Sequence, residues 1–163
     1  MSSQTTDEVP AAIAKNKSWL TGKWSALCRI VENTPGKRWS DICRPDGPGV
    51  YRLIALDATM AGTVPASLDR VCGVDPTGTL YIGFTKSLRT RLRILVLTND
   101  PNVPLGAGHA FMPAKLRKSF PLRLRAVAWQ RSASYDLARN GEKKLFDRYA
   151  KQFGELPPMN SQG

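Results

Sequence analysis

Two short strings, Gly49-Val50-Tyr51 and Leu80-Tyr81-Ile82-Gly83, constrain this chain more than any other part of it. Each sets a tyrosine in a strand-forming run, and the second closes on a glycine, which lets another group approach the backbone. The runs extend from Gly49 to about Leu56 and from Thr79 to Phe84. A third run, Leu68 to Val74, is separated from the second by Asp75-Pro76-Thr77-Gly78. Proline presets one turn dihedral there and glycine accepts a positive φ, so a hairpin joining these two runs is expected.

Elsewhere the periodicity is helical. Leu20, Trp24, Leu27 and Val31 predict an amphipathic helix over about Ala11 to Val31, ended by Asn33-Thr34-Pro35-Gly36. Leu88, Leu92 and Leu95 predict a helix over Ser87 to Leu97, and a short basic helix is expected over Ala114 to Ser119. Leu122 to Gln130 reads as a strand, Ser134 to Phe153 as a long helix, and Gly154 to Gly163 as an extended tail. The expected fold class is α/β, a small mainly antiparallel sheet flanked by helices. Three parts are expected: a disordered tail over 1–10, a helical extension over 11–47 and the main domain over 48–163.

Charge narrows the function. The chain carries +11 over 163 residues. Nine basic residues between Lys86 and Arg125 face one acid, Asp100. A basic field concentrated on a few elements is the footprint of a phosphate-backbone binder. Lys86, Arg89, Arg93, Lys115, Arg117 and Lys118 are the candidate nucleic-acid contacts. Three cysteines without a short-spaced pair, no apolar leader and no apolar run near ~20 residues predict a reduced, cytoplasmic protein with no membrane partner. The single histidine, His109, excludes a His-rich zinc site. Trp19 and Trp24 on the first helix read as core, or as a surface for a homodimer or protein partner.

Glu142 stands out on the long helix. Tyr135, Ala138, Leu145, Phe146, Tyr149 and Phe153 all fall within about 60° of it on the helical wheel. A carboxylate at the centre of an apolar stripe needs a partner, either a buried base or something held from outside. Arg91 sits at the edge of the Leu88/Leu92/Leu95 stripe. Tyr51 and Tyr81 are either core aromatics or proton-transfer groups. A tyrosine acts as a base only where nearby positive charge lowers its pKa from about 10, and Arg91 with a bound cation would supply that charge.

Gly49-Val50-Tyr51, Tyr81-Ile82-Gly83, Arg91, Glu142 and Asn160, in that order, resemble the GIY-YIG endonuclease family over about Pro48 to Asn160. The resemblance implies a metal-dependent DNA endonuclease. Tyr51 or Tyr81 would activate water, Arg91 would neutralise the phosphate, Glu142 would hold Mg²⁺ or Mn²⁺, and Asn160 would orient the phosphate or brace the site. Two features depart from the pattern. The tyrosine strands are separated by a long insertion, and the position four residues after Arg91 is Leu95 where many members carry histidine. His109 is the candidate to stand in for that histidine. The alternative function is a non-catalytic nucleic-acid-binding module or a subunit of a larger DNA-processing complex. Substrate form, sequence specificity and the identity of the basic tyrosine stay open at this level.

Overall fold

The computed structural model describes residues 19–30, 45–97 and 114–160. In chain order the elements are β1 (Cys28–Arg29), β2 (Gly49–Ala55), β3 (Leu68–Arg70), β4 (Gly73–Asp75), β5 (Thr79–Thr85), α1 (Leu88–Leu97), α2 (Ala114–Ser119), β6 (Arg125–Arg131) and α3 (Tyr135–Phe153). Four strands form an antiparallel sheet in the order β1-β6-β2-β5, and β3 pairs with β4 in a separate ribbon. The α/β class with a small antiparallel sheet and helices against it is therefore observed.

Strand β2 is buried along all seven residues, because both of its faces are covered. Side chains alternate along a strand. Tyr51, Leu53 and Ala55 point to the face where Leu88 and Leu92 of α1 pack with Val127. On the other face Val50 and Ile82 meet Leu145, Tyr149 and Phe153 of α3. The Ser134 side chain caps α3 by accepting from the Leu137 amide at 3.2 Å, and Gly154, in the left-handed conformation, ends it.

The expected N-terminal helix is not found where the chain is described. Residues 11–18 lie outside the described residues, and 19–30 form a turn, an extended run and then β1. Cys28 and Ile30 are buried and Arg29 is exposed, which is strand alternation. The apolar residues that suggested one helical face serve separate purposes. Trp19 is core, set edge-on to Tyr149 at 4.8 Å, while Leu27 is exposed. Trp19 is thus unavailable as a partner surface.

The expected hairpin also differs. The Asp75–Gly78 turn exists, but β5 pairs with β2, and the 68–74 run doubles back on itself as β3 and β4. Asp75 Oδ1 accepts from the Thr77 amide at 2.8 Å and Oδ2 from the Thr79 amide at 3.1 Å. The turn therefore directs the chain onto the long edge of β2. Residues Leu122–Leu124 form a 3₁₀ turn and the last strand starts at Arg125. Arg125 itself is buried and its Nε donates to the Phe120 carbonyl at 2.6 Å. One of the nine clustered cations is therefore internal. Cys28 is disulfide-bonded while Cys72 is free and exposed, so the reading of every cysteine as a reduced thiol fails at Cys28. Among the described residues no helix is long and apolar enough to cross a membrane.

Candidate active site

The register of β2 on β5 sets Tyr51 opposite Gly83 and Leu53 opposite Tyr81. The two tyrosines thus share a face on neighbouring strands, with ring centroids 6.0 Å apart. A Cβ at residue 83 would lie 2.5 Å from the Tyr51 hydroxyl and 2.7 Å from Tyr81 Cε1. Only glycine admits both rings. Gly49 is needed for a similar reason, since a Cβ there would strike the Gln130 carbonyl and lie 2.7 Å from Leu88 Cδ1. The glycines of both strings are therefore packing requirements of the tyrosine pair and of α1.

Tyr51 is fully buried, and its hydroxyl has no hydrogen-bond partner among the described residues. Burial, followed by the neighbouring Tyr81, holds its proton far above the ordinary phenol range. Tyr81 is half-buried. Burial raises its pKa too and Glu142 adds to the rise, while the Tyr51 hydroxyl and the Arg91 charge oppose it. The two phenols sense each other without meeting hydrogen-bond geometry at Tyr51. The expected lowering by Arg91 is present in direction at both tyrosines, but burial outweighs it. Without a cation, neither is primed as a base.

Tyr81, Arg91 and Glu142 converge on one open cleft of about 370 Å³ at the β5 edge, together with Phe84, Lys86 and Tyr135. Strand β5 brings Tyr81, α1 brings Arg91 and α3 brings Glu142, so elements from both faces meet around the sheet's edge. Burial pushes the Glu142 carboxyl up to about 7, against the opposing charge of Arg139. Among the described residues it makes no hydrogen bond or ion pair. A partly desolvated carboxylate with open space before it suits a hard divalent cation that completes its shell with water and substrate oxygens. No group of three or more His, Cys, Asp or Glu side chains is gathered among the described residues. A cation here would thus rely on one protein carboxylate.

Asn160 lies elsewhere. Its Oδ1 accepts from the Ile82 amide at 2.8 Å and its Nδ2 donates to the Ile82 carbonyl at 2.9 Å. It braces β5 from the outer edge and does not line the cleft. Arg89, Lys115 and Lys118 are exposed outside the cleft, whereas Lys86 is on its wall. His109 lies outside the described residues, as do the side chains of Arg93 and Arg117.

A buried polar layer also escaped the sequence reading. Arg52 is 4% exposed and donates to Thr79 Oγ1 at 2.8 Å, with its guanidinium 4.8 Å from the Trp24 ring centre. Burial lowers its pKa to about 10, with Asp75 opposing. Asp75 in turn accepts from the Tyr149 hydroxyl at 3.0 Å. Tyr149 is seven residues, two turns, beyond Glu142 on α3, so this bond helps fix the face that Glu142 presents. A lone arginine in an otherwise apolar strand was the available signal.

Compared with protein-family models, curated proteins and solved structures, the chain matches none.

Proposed function

We propose that this protein is a metal-dependent DNA endonuclease of the GIY-YIG type. The observation that carries the reading is the convergence of Tyr81, Arg91 and Glu142 on one cleft, with Tyr51 packed behind Tyr81. That set contains a proton acceptor, a fixed cation and a cation-holding carboxylate, which together meet the needs of phosphodiester hydrolysis.

Glu142 would hold Mg²⁺ or Mn²⁺, which when bound supplies positive charge against the scissile phosphate and the leaving oxygen. As its phenolate, Tyr81 would take a proton from the attacking water; the new bond forms at phosphorus, the bond to the 3′ oxygen breaks, and the departing alkoxide takes a proton from solvent. Arg91 neutralises the charge that develops on the non-bridging oxygens. Tyr51 is too deeply buried to meet water and its hydroxyl has no partner among the described residues, so its part is to back the Tyr81 ring. Of the two charges acting on Tyr81, Glu142 alone resists that phenolate. A cation held by Glu142 would offset that charge, leaving burial as the cause that still opposes the phenolate.

The test is incubation of the protein with Mg²⁺ and matched duplex, single-stranded and branched DNA. Cleavage that stops on chelation and in Glu142→Gln is expected. Binding without cleavage of any of these substrates in Mg²⁺ or Mn²⁺ would favour the non-catalytic alternative.

A further inference from the structure

Two aromatic rings on the cleft wall belong to none of the three hydrophobic core clusters. Phe84 is half-buried and Tyr135 is 38% exposed, with ring centroids 5.3 Å apart. Lys86 Nζ lies 5.0 Å from the Tyr135 ring centre, and both rings line the cleft that also holds Arg91. Exposed aromatic surface that stabilises no core is conspicuous beside cations. The pair offers two ring surfaces, tilted 42° to each other, within the same cleft as two positive charges.

We infer that Phe84 and Tyr135 stack an unpaired nucleobase, so that the preferred substrate is single-stranded or locally unpaired DNA around the scissile phosphate. The inference rests on the cleft being where a phosphodiester is held. A nucleotide joins a flat π-face to an anion, which matches an exposed ring set beside the cations Lys86 and Arg91. Inside a duplex both faces of a base are covered by its neighbours, and only an unpaired or extruded base can reach a wall of this kind. Lys86 covers part of one face of the Tyr135 ring, so the base stacks on the ring surface left open and the ammonium meets the adjoining phosphate.

Binding separates this inference from the hydrolysis reading. The full chain carrying Glu142→Gln, in chelator, is titrated with fluorescein-labelled single-stranded oligonucleotide and with its duplex, and separately with a single strand containing 2-aminopurine. Tighter binding of the single strand and quenching of 2-aminopurine are expected. Adding Tyr135→Ala should weaken single-strand binding roughly tenfold or more and abolish the quenching, whereas Tyr135→Phe should retain both. Circular dichroism checks the fold, and Tyr135→Leu, which keeps bulk but not the π-face, should behave as the alanine variant does. Unchanged single-strand affinity in Tyr135→Ala, or equal loss on duplex and single strand, overturns the inference. Should wild-type protein stack the base yet cut nothing in Mg²⁺, the hydrolysis reading fails and the stacking site stands.

Discussion

The side-chain amide of Asn160 pairs with both backbone groups of Ile82, accepting at 2.8 Å and donating at 2.9 Å, as one residue of an added β-strand would. The Met159 amide continues the pairing by donating to the Leu80 carbonyl at 2.9 Å. The edge of β5, which holds Tyr81 and Gly83, is thereby closed by the tail.

Asn160→Ala should destabilise the fold by about 1–3 kcal/mol, because two backbone groups lose their partner together. Urea unfolding measures this. Turnover should fall less than in Arg91→Ala, since Asn160 bonds the Ile82 backbone and does not line the cleft. A loss of turnover equal to that of Arg91→Ala at unchanged stability would assign Asn160 to the phosphate instead.

The tyrosines should separate in their Phe variants. Tyr81→Phe should remove nearly all cleavage, whereas Tyr51→Phe, which deletes a buried hydroxyl without a partner, should keep the fold and most of the rate. With the Tyr81 proton held above its ordinary range, the rate should keep rising with pH through the neutral range into the alkaline. A pH–rate profile for each variant decides between them; the reverse order of effects would make Tyr51 the base.

Glu142→Gln should abolish cleavage and leave DNA affinity near wild type. It should also change how stability depends on pH. The folded carboxyl titrates near 7, above its ordinary 4.5. The native state therefore binds the proton more tightly than the unfolded chain does. This contribution is full below about 4.5 and is lost as pH rises through 7. At pH 8 the variant should gain about 1–2 kcal/mol over wild type relative to pH 4, after allowance for screening at a half-exposed group. Denaturation at the two pH values measures the difference. Parallel stability curves would mean that the carboxyl is not desolvated. Added Mg²⁺ should stabilise wild type and leave the variant unmoved.

Arg91→Ala should lower turnover at least ~100-fold, the scale of losing one preorganised charge donor. Arg89→Ala, exposed on the same helix, should instead weaken binding and reduce its salt dependence by about one phosphate contact. Equal kinetic losses would remove any special role for Arg91.

The sheet strands and the long helix were legible because their periodicities are unbroken from Gly49 to Ala55, Thr79 to Thr85 and Tyr135 to Phe153. Glu142 was legible as a charge inside an apolar stripe. Arg52 carried the same signal on a strand, yet its acceptor Thr79 stands 27 residues away and Asp75 opposes the loss of its charge from a turn, where local pattern says nothing of them. Strand pairing was misread for a related reason. The Asp75–Gly78 turn is a local feature, but the choice of β2 as partner for β5 depends on an apolar edge supplied from across the insertion. Tyr135 was assigned to the buried stripe because a helical wheel does not record that the sheet ends beneath the first turn of α3.

Burial of Arg52 bears on where the smallest independently folding unit begins. The guanidinium lies beneath Trp24 and within 5.9 Å of the Trp19 ring centre, and Trp19 also closes the top of the α3 face. A truncation starting at Pro48 would strip away both indoles together with the β1 edge, opening a cation and the adjoining apolar surface to water at once. Such a fragment keeps every residue of the cleft and is expected to aggregate or stay unfolded, so the indispensable boundary precedes Trp19, and residues 19–30 act as a lid sealed onto the sheet.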